Sequence, residues 1–248
     1  MQDKVVVVTG ASGGIGAAVA EVLAARGASV VLVARRADAL AAVAAKCGPR
    51  AHALVGDMTR RDEVQRVVAE SVAHFGRIDA WVNNVGQGIT RMPSQLTDDD
   101  LDLMMQVNVK SALYGMQEVL PHFKSRGKGH IVNVSSLLGR IPYVPMRAAY
   151  TGAKHFLNAL TANFRDEVAA THPGIRFSLV SPGVVRTEFG RNAVHGGPDS
   201  RQLPDSQSAE EAAEVIADVI ESGRPDVYTR AGVHDRMVAY YDQVGQDP

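Results

Sequence analysis

The first two dozen residues constrain the fold more than any other stretch. Lys4-Val5-Val6-Val7-Val8-Thr9 is a short, continuous, β-branched run. That pattern suits a buried parallel strand and is too short for a buried helix. Gly10-Ala11-Ser12-Gly13-Gly14-Ile15-Gly16 follows, and residues 17–23 then read as a helix. A strand, a glycine-rich turn and a helix form a phosphate-binding arrangement. The glycines let the backbone approach a pyrophosphate, and the free N–H groups of the helix start face the anion. A plain tight turn has no need of so many glycines.

The same alternation continues along the chain. Further strands are expected at 29–33, 51–55, 78–82, 130–134, 175–180 and 226–229. Helices are expected at 37–47 and 60–75, from 97 onward, and at 148–170, 209–222 and 233–243. Alternating strands and helices predict an α/β fold: a doubly wound parallel sheet of about seven strands, helices on both faces, in right-handed βαβ units. A length of 248 residues fits one domain of this kind, 1–248. No repeat, low-complexity block or linker divides it. Residues 188–208 are polar, rich in Gly, Pro and Arg, and lack a period, so they read as a mobile lid.

Composition removes several function classes. The formal net charge is -1 and no basic run stands out, which argues against nucleic acid as a partner. The single cysteine, Cys47, has no internal partner and fits a reducing compartment. There is no signal-peptide pattern at the start. No apolar run approaches the ~20 residues that span a bilayer. The expectation is a soluble cytoplasmic protein that does not engage membranes.

The residues with chemistry sit at the C-terminal ends of strands, where open α/β sheets bind ligands. The second strand ends in Arg35-Arg36, with no acid. An acid there would hold a ribose hydroxyl and a basic residue accommodates a 2′-phosphate, so NADP(H) is favoured over NAD(H), with Ser12 as a further phosphate ligand. Asp57-Met58 ends the third strand; Asp57 either meets an adenine amino group or caps the next helix. Asn83-Asn84-Val85-Gly86 ends the fourth and reads as a shaping turn beside a ligand. Asn108 is a poor interior helix residue. It is either a satisfied core amide or a kink or water site. Ser135-Ser136 ends the fifth strand, and Pro182-Gly183 through Val185 to Thr187 follows the sixth.

Tyr150-Thr151-Gly152-Ala153-Lys154 completes the set. Positions four apart share a helix face. A free phenol titrates near ~10. A cation at about 4 Å, at an effective dielectric of about 20, favours the phenolate by up to ~4 kcal/mol, roughly three pKa units. A tyrosine so placed works as an acid or base nearer neutrality.

In this order and spacing the chain resembles the short-chain dehydrogenase/reductase family, in its branch of about 250 residues. The resemblance rests on Thr9-Gly10…Gly14-x-Gly16, Asp57, Asn83-Asn84-Val85-Gly86, Asn108, Ser136, Tyr150-x-x-x-Lys154 and Pro182-Gly183…Thr187. Val85 stands where the family usually has alanine. Ser136 lies 14 positions before Tyr150, where 13 is common, with Ser135 as the fallback. The resemblance implies a Rossmann-type domain that interconverts a ketone or aldehyde and an alcohol by hydride transfer. It implies Tyr150 as general acid/base, with Lys154 lowering its pKa and binding the nicotinamide ribose. Ser136 would steady the substrate oxygen, and Asn108 would hold a relay water. Gly10, Ser12, Gly13, Gly14, Ile15, Gly16, Arg35, Arg36, Asp57, Met58, Asn84, Gly86, Pro182, Gly183, Val185 and Thr187, with Tyr150 and Lys154, would bind the cofactor. Val185 would hold the carboxamide. No metal is implied. Gly88, Leu137, Leu138, Tyr143, Met146 and Phe189 are expected around an apolar substrate, and His195, Arg191 and Arg201 are available to an anionic group. A homodimer or homotetramer is expected through the helices at about 98–125 and 148–170. Two rivals remain, an NADP-binding redox sensor or scaffold without turnover, and an epimerase or dehydratase that returns its hydride.

Overall fold

The computed structural model describes residues 1–245. Seven parallel strands form one sheet in the order β3-β2-β1-β4-β5-β6-β7. They are β1 (Val5–Thr9), β2 (Ser29–Ala34), β3 (Ala51–Val55), β4 (Ala80–Asn83), β5 (Gly129–Val134), β6 (Ile175–Ser181) and β7 (Asp226–Tyr228). The helices are α1 (Gly14–Ala25), α2 (Ala37–Cys47), α3 (Arg61–Phe75), α4 (Asp98–Met105), α5 (Ser111–Arg126), α6 (Ala148–Ala169), α7 (Ala209–Ser222) and α8 (Val233–Tyr241). The alternation read from the sequence is present throughout, and element ends move by a residue or two.

Strand period explains the layers. Side chains alternate across a sheet. Val6 and Val8 of β1 join Val30 and Leu32 of β2 under α1, α2 and α7. Val7, between them, points the other way, with Val31 and Val33, under α3 and α5 and the end of α6. Both faces are covered, so the strands are apolar at nearly every position.

The strand order reverses at β1, which pairs with β2 on one side and β4 on the other. Crossovers run to opposite faces on either side of that point, and a crevice opens above it. Thr9 and Asn84 clamp the seam. Thr9 Oγ1 donates to the Val82 carbonyl at 3.0 Å and accepts from Asn84 N–H at 3.0 Å. Asn84 Nδ2 donates to the Thr9 carbonyl at 3.1 Å.

Asn83 corrects the sequence reading. It belongs to β4 and points into the core, and only Asn84 lies at the turn. Asn83 Oδ1 accepts from Trp81 Nε1 at 2.7 Å, and its Nδ2 donates to Asn133 Oδ1 at 2.8 Å. Asn133 Nδ2 donates in turn to Thr161 Oγ1 at 2.8 Å, and Thr161 donates to the Leu157 carbonyl at 2.7 Å. This buried chain ties β4 and β5 to α6 beneath the crevice. Each member is satisfied, the condition under which a core tolerates polar groups.

The long helical segment from Asp98 is interrupted. Gln106–Lys110 forms a π-helical turn between α4 and α5, and Asn108 sits in it, fully buried. Two serine or threonine caps hold as their sequences suggest. Thr97 and Asp100 form a capping box at α4, and Ser208 and Glu211 form one at α7.

Candidate active site

The crevice above the β1/β4 seam has a volume of about 680 Å³. Every catalytic and cofactor-binding residue expected from the sequence lines it except Gly16 and Asn108. Those two act from behind. A Cβ at Gly16 would meet the Gly10 carbonyl at 2.4 Å and Asn84 Nδ2 at 2.5 Å, so only glycine lets α1 seat against the seam. Asn108 clamps the backbone of Gln87 from both sides. Its Nδ2 donates to the Gln87 carbonyl at 3.0 Å, and its Oδ1 accepts from the Gln87 N–H at 3.1 Å. The structure therefore contains both halves of the earlier choice, a satisfied amide and a local distortion of the helix.

The residues present fit a dinucleotide. The turn before α1 places Gly10 at φ 68 and Gly14 at φ 54, conformations that favour glycine. α1 opens without a side-chain cap and without an acid in its first turn, leaving its positive end for an anion. Arg36 bends back over this turn. Its Nη2 donates to the Ser12 carbonyl at 3.1 Å and to Ser12 Oγ at 3.2 Å. The sequence suggested Arg36 and Ser12 as ligands of one phosphate; their direct pairing is a feature of the structure. Asp57 does not cap α3. Its Oδ1 accepts from Thr59 N–H and hydroxyl, at 3.0 and 2.8 Å, and its carboxylate borders the crevice.

Across the seam, the first turns of α6 bring Tyr150 and Lys154 to the crevice wall. Tyr150 and Ser136 line the crevice together, and Ser136 Oγ accepts from Leu138 N–H at 3.2 Å. Ser135 is not the substitute for it, because its hydroxyl donates to Asn158 on α6. The extra residue between Ser136 and Tyr150 is absorbed by short 3-10 turns at Leu137–Gly139 and Pro145–Arg147. Lys154 Nζ donates to the Val134 carbonyl at 3.0 Å and lies 5.7 Å from the centre of the Tyr150 ring. Gly86 packs beside it, and a Cβ there would press on Asn108 Oδ1 at 3.1 Å.

Electrostatics at this pair differ from the simple expectation. Burial drops the Lys154 ammonium to about 8 and pushes the Tyr150 phenol up to about 12. The Ser136 hydroxyl and the charge of Arg147 pull the phenol down but do not overcome burial.

The apolar wall is as expected in part. Leu137, Leu138, Tyr143, Met146 and Phe189 line the crevice, and the Phe189 ring packs edge-on to Tyr150 with centroids 5.6 Å apart. Gly88 lies behind this wall. A Cβ there would meet Arg147 Nη1 at 2.7 Å and Phe189 at 3.1 Å. Segment 188–208 is irregular, as its sequence reads, but tied at several points. Val194 bridges to Ile89 and Gln207 to Val185. His195 Nε2 lies 2.8 Å from Asp100 Oδ1, and Arg201 pairs with Asp199 at 2.7 Å. The cations proposed to meet an anion are thus partly spoken for. Of the arginines that line the crevice, Arg147 is the one that stands beside Tyr150, and the sequence reading passed over it. Its position was the available signal: three residues before Tyr150 at the start of the same helix, it shares the tyrosine's face.

A glycine-cradled crevice at a sheet reversal, joined to a Tyr-Lys pair and a serine, is that of a Rossmann-type nucleotide-binding α/β fold. The comparisons carry this further. The family model described as short chain dehydrogenase matches residues 4–196. An uncharacterized oxidoreductase of Staphylococcus saprophyticus is 38% identical over 190 residues, covering 76% of this chain and 77% of the relative. An alcohol dehydrogenase from Thermococcus sibiricus, solved with 5-hydroxy-NADP, has a TM-score of 0.81 at 26% identity, covering 94% of this chain and 98% of that one. A Burkholderia phymatum short chain dehydrogenase/reductase in complex with NAD has a TM-score of 0.90 at 22% identity, covering 100% of this chain and 98% of that one, and is like it in fold. The chain belongs to the short-chain dehydrogenase/reductase family and is an oxidoreductase of that family. Among the described residues no helix is long and apolar enough to cross a membrane, and no cluster suits a metal ion.

Proposed function

We propose that this protein is an NADP(H)-dependent carbonyl reductase that interconverts a ketone or aldehyde and the corresponding alcohol. The observation that carries the reading is that Tyr150, Ser136 and Lys154 line the nucleotide crevice together, with Tyr150 and Lys154 on one helix face. The reduced nicotinamide, when bound, supplies the hydride. Tyr150 donates a proton to the substrate oxygen in reduction and removes one from the alcohol in reverse. Ser136 orients that oxygen and steadies the charge on it. Lys154 exchanges the Val134 carbonyl for the nicotinamide ribose and returns a proton to Tyr150. Asn108 holds the Gln87 backbone and, through its π-helical turn, a relay water.

The cofactor assignment follows from the adenosine end. Arg36 folded onto Ser12, Arg35 beside it and no acid at the end of β2 favour a 2′-phosphate. Asp57 and Met58 meet the adenine, and Pro182, Gly183, Val185 and Thr187 the nicotinamide end. Exposed Leu101 and Leu103 on α4 and Phe156 on α6 support association of the chain into a homodimer or homotetramer through these helices. One unpaired cysteine supports residence in the cytoplasm.

The test is NADPH consumption across ketones, aldehydes and acyl thioesters, with Tyr150→Phe alongside. The expected result is turnover by the wild type and a loss of about a thousandfold in the variant, within the range of positioned acids, with NADPH binding retained. Full activity in Tyr150→Phe removes the tyrosine as the acid. NADPH binding with no turnover of any carbonyl or alcohol favours a sensor or scaffold.

A further inference from the structure

Arg147 is a cation without a counter-charge in the catalytic crevice. It is half-buried and lines the crevice beside Tyr150. Its Nη1 donates to the Ile89 carbonyl at 3.0 Å. Among the described residues no other hydrogen bond and no ion pair engages its side chain, so most of its five N–H donors are unspent. The charge partner it has is the Tyr150 phenol, which is neutral at ordinary pH, and burial lowers its pKa. Three neighbouring cations have acidic partners instead. Arg91 and His195 share Asp100, and Arg201 holds Asp199.

The surroundings offer Arg147 nothing else. It is itself the N-cap of α6, a 22-residue helix with no acid in its first turn. A cation at the positive end of a helix is disfavoured unless an anion compensates both. Removing a guanidinium from water without a partner is costly, and bidentate binding of a carboxylate is the arrangement that best repays it. The two glycines that make room for the guanidinium, Gly88 and Gly197, would each place a Cβ 3.1 Å or less from it. Space is kept for this side chain at the base of the lid.

We propose that the substrate of the site carries a carboxylate, held by Arg147, a few bonds from its reacting carbonyl. The substrate class is then an oxo acid with an apolar body, reduced to the hydroxy acid. This rests on the carbonyl-reductase reading above. The carboxylate is a spectator. The carbonyl carbon gains the hydride, its oxygen gains the Tyr150 proton, and no other bond changes. Leu138, Tyr143 and Met146 take the apolar body, and Arg147 orients the carbonyl toward Tyr150 by holding the charged end.

The experiment compares matched acid and methyl ester pairs with NADPH: benzoylformate, acetoacetate and levulinate, each against its methyl ester. The expected result is that at least one acid exceeds its ester in kcat/KM by about tenfold or more, the scale of one charge-assisted contact. Arg147→Met brings that ratio close to one, and Arg147→Lys restores part of it. Esters equal or superior to acids in every reacting pair would overturn the proposal. So would an Arg147→Met variant that keeps the acid-to-ester ratio, since a mere strut to Ile89 affects both alike. Arg147→Gln, which retains a donor for the Ile89 carbonyl, stands in if the methionine variant does not fold. If no pair reacts, calorimetric binding of benzoate to the NADPH-loaded protein decides. Binding that Arg147→Met abolishes keeps the anion site while the carbonyl reading fails. No binding, or equal binding in both, overturns the anion site.

Discussion

The ammonium of Lys154 is held by the Val134 carbonyl at 3.0 Å, at the end of β5 and fully out of water. A buried charge satisfied by one carbonyl is a cost to the folded state. Burial holds the folded Lys154 ammonium at about 8, against an ordinary value of 10.5. Between those values the unfolded chain holds the extra proton, so stability of the free protein rises with pH. Below about 8 the penalty is present in full, on the order of 3 kcal/mol from the shift. Tyr150 acts in the opposite sense. Its phenol is raised to about 12, so above about pH 10 the unfolded chain ionises first and stability falls.

From this pair follows the first prediction. Lys154→Met stabilises the cofactor-free protein at pH 7 by roughly 1–3 kcal/mol, the relieved penalty less packing losses, and abolishes turnover. Urea unfolding from pH 7 to 10 measures it. The wild type gains stability over that range and the variant does not. Equal slopes would mean that Lys154 is already neutral or well solvated.

Arg36 gives a prediction at the other end of the crevice. Arg36→Ala removes the group folded onto Ser12. NADPH affinity should fall about tenfold or more, the scale of a hydrogen bond to a charged group, while NADH affinity changes little. Fluorescence titration with both cofactors reads this directly. An equal loss for both would make Arg36 a prop for the glycine turn and not a reader of the 2′-phosphate.

The buried chain Trp81–Asn83–Asn133–Thr161 predicts a stability effect without a direct catalytic one. Asn133→Ala leaves Asn83 and Thr161 short of partners, at about 1–3 kcal/mol for each orphaned group. A total loss of about 3 kcal/mol is expected in denaturant unfolding. A loss under about 1 kcal/mol would mean that water replaces the amide, which its full burial opposes.

Asp100 ties three elements together. It caps α4 through Thr97, pairs with Arg91 at 2.8 Å and meets His195 of segment 188–208 at 2.8 Å. Arg91 and then His195 hold its carboxyl well below the usual carboxylate range. Its contribution is therefore present above the ordinary carboxylate pKa and fades as acid approaches the lowered one. Asp100→Asn should loosen this segment, and limited proteolysis within 188–208 should become roughly threefold faster or more, as expected when a local opening is made easier. Unchanged cleavage would place the segment's anchorage in the Ile89–Val194 bridge instead.

Much of this was legible in the sequence because the signals are local. The Val5–Val8 run, the glycine turn and the two capping boxes each lie within a few positions of their partners. The crevice was legible too, because ligand residues in open α/β sheets gather at strand ends. What escaped was set by distance along the chain or by absence. Asn133 meets Asn83 and Thr161 across 50 and 28 positions, and no local pattern announces such a chain. Thr59 won Asp57 from the helix cap because it lies two residues on, within a tighter turn. The role of Arg147 rests on having no acidic partner, and a sequence does not reveal which arginines lack one.

The strand order has a further consequence, for how this chain folds. Every pairing in the sheet is parallel, so no tight hairpin can nucleate it and each ladder waits for a helical crossover to form. The longest wait falls on β1, whose contact with β4 joins Thr9 to Val82 across 73 positions. Topology of this kind raises contact order and slows folding. The crevice exists once that pairing has closed, so cofactor capture during refolding would serve as a clock for the closure of the seam.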